Sequence, residues 1–284
     1  MKSLIKKVSK CKICGEIREN YCYNVKEMFY GTMEEFTYFE CSHCHCMQIV
    51  DIPDNMGQYY GDDYYSFEEV LTEENCFPEI IRHEERLLDV GCGAGRWLVE
   101  LAKDGYGHLY GCDPYIKHDI QYGERIKIKK STIHDLEGEY DIINFADSFE
   151  HMEDPLEVLH TVKRLMSPNG FCRVNIPVYP NLATETFGTN WYQWDAPRHL
   201  FIHSKESMEY MCEKTNLKVV TVEYNSDLSQ FAVSYFYELG LPLFYALEHI
   251  GKMPEEEKKK FNEYAEFANK NSMGDHAMFI LQHK

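Results

Sequence analysis

From residue 86 onward, short apolar runs alternate with stretches whose apolar positions recur every three or four residues. Residues 86–90 are one such run, ending on Gly91-Cys92-Gly93-Ala94-Gly95, after which Trp97, Leu98, Leu101 and Ala102 share one helical face. Further strands are predicted at 108–113, 125–130, 140–145, 171–176, 219–224 and 277–282. Between the fourth and fifth strands, Leu156, Leu159, Val162 and Leu165 recur at helical steps, and Ser167-Pro168-Asn169-Gly170 is a stop signal. Another helix is expected at 205–215. This alternation implies a doubly wound α/β fold around a mostly parallel, seven-stranded sheet.

Two regions depart from the alternation. Residues 228–250 are strongly apolar and long enough to span a bilayer. Glu238 in the middle, Pro242 and several Ser and Tyr residues argue against a span, because a lipid-exposed carboxylate is costly. Buried helices in an insertion at about 228–272, lining a pocket or a homo-oligomer contact, are expected instead. The other region is the N-terminus, where residues 1–50 hold paired cysteines among short β-prone stretches. Residues 51–80 are a turn-rich connector with the run Tyr59-Tyr60-Gly61-Asp62-Asp63-Tyr64-Tyr65. The expected organisation is a 1–50 module, a 51–80 connector and an 81–284 main domain.

Composition narrows the partners. With 29 Lys+Arg against 47 Asp+Glu, the net charge of −18 repels phosphate backbones and counts against a nucleic-acid substrate. The first residues are basic (Lys2, Lys6, Lys7, Lys10), but no apolar run follows, so no secretory signal is expected. Eleven cysteines, an odd number, six of them in the first fifth of the chain, point to metal binding in a reducing, cytoplasmic compartment rather than to disulfides. Cys11-x-x-Cys14 and Cys41-x-x-Cys44 can complete a closed tetrahedral zinc site, structural rather than catalytic, in a small zinc-ribbon-like module. Cys46 and His43 are alternative ligands.

The glycine segment carries the main chemistry. It follows a strand and opens a helix, and Asp113 ends the next strand about 20 residues on, where a ribose-binding carboxylate belongs. A dinucleotide fingerprint places its third glycine one residue further along, to seat a pyrophosphate. Here the spacing is G-x-G-x-G, preceded by Asp89, which would repel a pyrophosphate but suits a cation. S-adenosylmethionine, with its ammonium and sulfonium, meets that requirement.

Residues 86–180 resemble the core of class I S-adenosylmethionine-dependent methyltransferases. The resemblance rests on Leu-Leu-Asp-Val-Gly-Cys-Gly-Ala-Gly at 87–95, Gly-Cys-Asp-Pro at 111–114, Asp-Ser-Phe-Glu-His-Met-Glu-Asp-Pro-Leu at 147–156 and Ser-Pro-Asn-Gly-Phe at 167–171. The cysteine pairs and the Asp-Ala-Pro-Arg-His-Leu element at 195–200 resemble a bacterial subgroup that acts in surface-polysaccharide and natural-product biosynthesis. The resemblance implies a Rossmann-like sheet. Gly91, Gly93 and Gly95 would pack on the methionine part of the cofactor, with Asp89 organising the turn and Asp113 taking the ribose hydroxyls. Thr132 and Ile133 would contact adenine; the family has an Asp near Thr132, where this chain has Asp135 three residues on. Phe145, Ala146 and Asp147 would flank the sulfonium.

Methyl transfer is an in-line displacement in which positioning does much of the work, while a hydroxyl or C–H acceptor also needs a base. Glu150, His151 and His199 all follow strands on the carboxyl edge of the sheet, so they are the candidate catalytic groups. His199 is the leading base, and Arg198 could pair with a substrate phosphate. The expected function is O- or C-methylation of a small or carrier-linked acceptor, with a nucleotide-linked sugar or surface-glycan precursor implied by the resemblance. RNA or protein methylation is a rival supported only by the zinc module. An NAD-dependent oxidoreductase and a non-catalytic cofactor-binding protein are rivals from other classes. Asp89 and the glycine spacing argue against the oxidoreductase.

Overall fold

The computed structural model describes residues 6–60, 77 and 81–284. Most of the connector expected at 51–80, including the tyrosines at 64 and 65, lies outside the described residues. The chain opens with β1 (Lys6–Lys10), β2 (Ile17–Lys26), β3 (Glu35–Glu40) and β4 (Met47–Ile49), each antiparallel to the next. The β1–β2 and β3–β4 links are the two cysteine knuckles. Each closes on itself, Gly15 N donating to Cys11 O (3.0 Å) and His45 N to Cys41 O (2.9 Å), with positive φ at Gly15 and His45.

The main sheet starts with β5 (His83–Val90), followed by α1 (Arg96–Lys103) and β6 (Tyr106–Cys112). Next come β7 (Ile120–Tyr122), β8 (Ile126–Lys129), β9 (Tyr140–Ala146), α2 (Pro155–Leu165) and β10 (Met166–Pro177). Then follow α3 (Leu182–Phe187), β11 (Phe201–Ile202), α4 (Lys205–Lys214) and β12 (Leu217–Tyr224). Helices α5 (Leu228–Glu238), α6 (Leu243–Ile250) and α7 (Glu255–Lys270) precede the closing β13 (His276–His283).

The strand order is β12-β13-β10-β9-β5-β6-β8-β7. Strands β10, β9, β5, β6 and β8 run parallel, while β13 is antiparallel to both β10 and β12. Among the described residues the sheet therefore has eight strands where the pattern predicts seven. The extra one, β7, is a three-residue edge strand folded back on β8 through Gly123 (φ 58°), too short to leave a periodic signal. Helix α2 ends at Leu165, just before the stop signal at 167–170, and that segment forms an irregularity within β10 between Met166 and Phe171.

Both faces are covered. Leu98, Val99 and Ala102 of α1 pack on Leu87, Leu109, Ile126 and Ile128. Val158, Leu159, Val162 and Leu165 of α2 join a larger core with Ile143, Cys172 and Met211. The apolar stretch at 228–250 forms α5 and α6, separated at Gly240 (φ 76°) and Pro242. Among the described residues, no helix is long and apolar enough to cross a membrane.

The two sheets are not independent. Strand β11, well downstream in the chain, pairs with β4 and completes the first sheet. Tyr38 is fully buried, and its hydroxyl donates to His199 O (2.9 Å). Ser204 Oγ donates to the Cys44 carbonyl (2.6 Å). The N-terminal sheet is thus a wall of the same core that carries the 195–203 segment.

Candidate functional site

Chain order reverses in the sheet between β5 and β9, and a cavity of about 770 Å³ opens at the carboxyl ends of these strands and of β6. Such a switch point is where doubly wound sheets bind ligands. Gly91, at φ 75°, turns the chain out of β5. A Cβ there would lie 2.6 Å from Ser148 Cβ, so only glycine fits. Ser148 Oγ ties the two loops by donating to Val90 O (2.6 Å).

Asp113 holds the glycine loop in shape. Its Oδ2 accepts from Gly93 N (3.0 Å) and its Oδ1 from Tyr115 N (2.8 Å). A carboxylate has about four lone-pair sites, so capacity remains for a hydroxyl donor from a ligand. Asp89 lies buried at the cavity floor and accepts from Asn144 Nδ2 (2.7 Å). Burial raises its pKa to about 7 in spite of that bond and of Arg173 nearby.

Of the residues expected to contact a cofactor, Asp89, Gly91, Asp113, Thr132, Ile133, Ala146 and Asp147 line this cavity. Gly93 and Gly95 do not: they shape the loop behind it, and Gly95 is the N-cap of α1. Phe145 does not either, because its ring is fully buried against Phe149. Asp135 is turned back onto Thr132, accepting from its N (3.0 Å) and Oγ1 (2.7 Å). Tyr60, Arg96, Trp97 and Tyr115 also line the cavity and were not singled out from the sequence. The Tyr60 and Tyr115 rings stack at 5.2 Å across its mouth.

A second cavity, of about 620 Å³, shares Asp147 and His151 with the first. Its other walls include Phe29 of the N-terminal region, Tyr192, Asp195, Arg198, His199, Gln230 and His276. Asp147 closes β9 with φ 50°, a conformation that directs its carboxylate between the cavities. His276, at the start of β13, meets Asp147 Oδ1 through Nε2 (2.6 Å) and Asn225 Oδ1 through Nδ1 (2.8 Å). Burial opposes ionisation of Asp147, but the His276 bond outweighs it and holds the carboxyl below the usual range. His276 lies far from every motif in sequence, so nothing but the sheet order brings it here.

Glu150, His151 and His199 do converge. His199 Nε2 is 3.7 Å from Glu150 Oε1 and 3.5 Å from Asp195 Oδ2. The His151 and His199 rings are 4.8 Å apart. His151 Nδ1 lies 2.8 Å from Arg198 O, and His199 Nδ1 lies 2.8 Å from Gln193 O. Burial pushes His151 down to about 3 and lowers His199, so both rings are neutral near pH 7. Burial raises Glu150 well above the carboxylate range, helped by the charges of Asp147 and Asp195. Asp195 stays below it: burial is outweighed by Arg198, which donates through Nε (2.9 Å) and Nη2. The Arg198 guanidinium also lies over the Phe29 ring (3.5 Å), so it is committed to the wall of the cavity.

The four cysteines meet where the two knuckles come together. Sγ–Sγ distances are 3.6 Å for Cys11–Cys44 and for Cys14–Cys41. Four thiolates about 2.3 Å from one zinc ion would stand roughly 3.8 Å apart, so the set fits. Gln48 Nε2 (2.8 Å) and Cys14 N (3.4 Å) donate to Cys11 Sγ, as donors to a thiolate would. Cys46 points away toward His203 Nδ1 (3.8 Å), outside the cluster.

The model of a methyltransferase domain matches residues 65–222 of the chain. A ubiquinone biosynthesis O-methyltransferase of Vibrio campbellii is 32% identical over 96 residues, covering 30% of this chain and 41% of the relative. The corresponding enzyme of Klebsiella pneumoniae is 28% identical over 96 residues, covering 30% and 40%. The chain thus spans about two-fifths of the length of these curated relatives. Among solved structures, the [4+2]-cyclase SpnF is 17% identical, with 71% of this chain and 75% of that one covered at a TM-score of 0.46. A cyclopropane synthase of Mycobacterium tuberculosis is also 17% identical, with 71% and 79% covered at a TM-score of 0.45.

Proposed function

The chain belongs to the methyltransferase-domain family, matched over more than half its length, and from that premise we propose that it moves a methyl group from S-adenosylmethionine to a small polar acceptor. The observation that carries the proposal is the pair of cavities with Asp147 and His151 as common walls. The cofactor takes the larger cavity. Its ribose meets Asp113, its adenine lies by Thr132 and Ile133, and its ammonium approaches the Asp89 end. The sulfonium then reaches Ala146 and Asp147, where the acceptor cavity begins. A buried cationic ligand is stabilised by the carboxylates of Asp89, Asp113 and Asp147 around it.

The acceptor takes the second cavity. Its polar walls (Asp195, Gln193, Asn225, Gln230) beside Tyr192, Phe29 and Phe244 suit a hydroxylated ring, with polar edges to bond and aromatic faces to stack. A nucleotide-linked sugar or glycan precursor is the proposed class, resting on the resemblance of the 195–200 element. Activation of the acceptor falls to His199 and His151, which line its wall, and to Glu150, buried behind them. We assign Cys11, Cys14, Cys41 and Cys44 to one structural zinc ion that pins the N-terminal sheet against this cavity.

Calorimetry with S-adenosylhomocysteine tests the cofactor assignment, and a methylation screen over nucleotide sugars tests the acceptor class. Micromolar cofactor binding with methyl transfer to a sugar hydroxyl or carbon is expected. Absence of cofactor binding would remove the whole reading; binding without transfer to any sugar would remove the acceptor class alone.

A further inference from the structure

We propose that Glu150, His151 and His199 form a divalent-cation site in the wall of the acceptor cavity. Glu150 is 0% exposed, yet neither carboxylate oxygen has a hydrogen-bond partner among the described residues. A buried carboxylate in that state is strongly disfavoured unless a cation or a proton compensates it. Arg198, the neighbouring guanidinium, is paired with Asp195. Burial favours a proton on Glu150 when the site is empty, but Oε1 is 3.7 Å from His199 Nε2, so that O–H has no partner at hydrogen-bond distance among the described residues and a cation can displace it.

The two imidazoles are set as ligands. Carbonyl oxygens only accept, so His151 Nδ1 carries a proton toward Arg198 O and His199 Nδ1 carries one toward Gln193 O. Each ring is thereby left with its lone pair on Nε2, the outer hydrogen bond that metal-binding histidines ordinarily have. The Tyr60 hydroxyl lies 3.2 Å from His151 Nδ1, on the side away from that lone pair. His199 Nε2 then turns a lone pair toward Glu150 and Asp195, an arrangement that gathers electron-pair donors where a cation can bind. One ligand atom from each of the three residues lies within 4.8 Å of the others. Two imidazoles and one carboxylate suit manganese, iron, cobalt or zinc better than magnesium or calcium.

The role of the cation rests on the methyl-transfer reading. A bound cation lowers the pKa of a hydroxyl it holds. It favours an acceptor that presents a hydroxyl beside a second oxygen, as in a vicinal diol or a hydroxy acid. The hydroxyl proton passes to the Asp147 carboxylate, the oxygen pair forms the new O–CH₃ bond, and the C–S pair stays on sulfur as the sulfonium becomes a thioether.

The test is cobalt(II) chloride titrated into the full chain, followed by visible absorption, with S-adenosylhomocysteine affinity measured on the same preparations. One equivalent is expected to bind with d–d bands and no added thiolate charge transfer. Glu150→Gln and His151→Asn should each weaken it by at least about a hundred-fold, since even outer partners of a metal site cost 10–100-fold. His151 is only partly buried, so its variant decides the matter if Glu150→Gln fails to fold. Cobalt binding only with thiolate bands, or equally in the folded variants, would overturn the site. S-adenosylhomocysteine binding without cobalt binding sinks this inference alone, whereas cobalt binding without it sinks the methyl-transfer reading and leaves the site.

Discussion

The two cavities are of similar size and share a wall, but they are assembled in opposite ways. The cofactor cavity is built almost wholly from the ends of consecutive parallel strands, between Asp89 and Asp154. The acceptor cavity gathers Phe29, the 192–199 segment, α5, α6 and His276 from across the chain. One is held by local geometry, such as the Gly91 turn against Ser148 and the Asp113 bonds to Gly93 and Tyr115. The other depends on contacts between distant segments, among them Tyr38 to His199 and the Arg198–Phe29 contact. A cofactor common to a whole family needs the first kind of site. An acceptor that differs between members is met by the second, where one exchanged segment reshapes the cavity and leaves the loop untouched.

That contrast is most exposed to loss of the metal proposed for the N-terminal cysteines. Cys41→Ser should release the zinc and unfold the first sheet, because binding energies of about 10–16 kcal/mol at such sites are folding energy. Hydrogen exchange should then rise across 192–203, while S-adenosylhomocysteine affinity stays within about two- to three-fold, as for distant sites. Equal loss at both cavities would show them to be one unit. Arg198→Ala comes next. It leaves Asp195 buried and unpaired beside Glu150, at a cost of about 3–5 kcal/mol in denaturant unfolding. A change near zero would mean that the pair contributes nothing net to the cavity wall.

On the side proposed for the cofactor, Asp113→Ala removes the anchors of Gly93 N and Tyr115 N together with the proposed ribose partner. At roughly 1.5–3 kcal/mol for each bond to a charged group, calorimetry should record a loss of at least about ten-fold in S-adenosylhomocysteine affinity. Unchanged affinity would place the ribose elsewhere. The smallest effect is a pH dependence at Asp89, whose pKa is raised to about 7 by burial. A cationic cofactor prefers the carboxylate, so affinity should rise with pH and level off above 7, by roughly ten-fold from one unit below that pKa. Folding stability moves the other way. The raised pKa favours the protonated folded form, so this contribution is full below the ordinary carboxylate value and lost as pH climbs through 7. Asp89→Asn should abolish both slopes, and a slope that survives belongs to another group.

The strands at 86–90, 140–145 and 277–282 and the helix at 156–165 were readable from apolar period alone, because each is long enough to repeat its pattern. Strand β7 was not, with three residues and only two of them buried. Cys11, Cys14, Cys41 and Cys44 could be grouped from spacing, since two tight knuckles fix two ligands each. His276 could not be found, as it precedes an ordinary strand and gains its place only through the antiparallel insertion of β13 between β10 and β12. Phe145 shows the converse error. Its position at the end of β9 was right, but strand alternation turns its ring into the core and leaves Ala146 and Asp147 to face the cavity.

Residue order alone settled whatever depends on neighbours: the turn at Gly91–Gly95, the acidic end of β6, the cysteine knuckles and the family's strand-helix alternation. Backbone conformation and side-chain period are short-range properties, so a few adjacent residues suffice to specify them. The acceptor cavity, the Asp147–His276 pair and the joining of the N-terminal sheet to the main core through β11 arose only when the chain packed. Those contacts join residues more than a hundred positions apart, and which of them meet is decided by the order of strands in the sheet and by the apolar surface that must be buried between them.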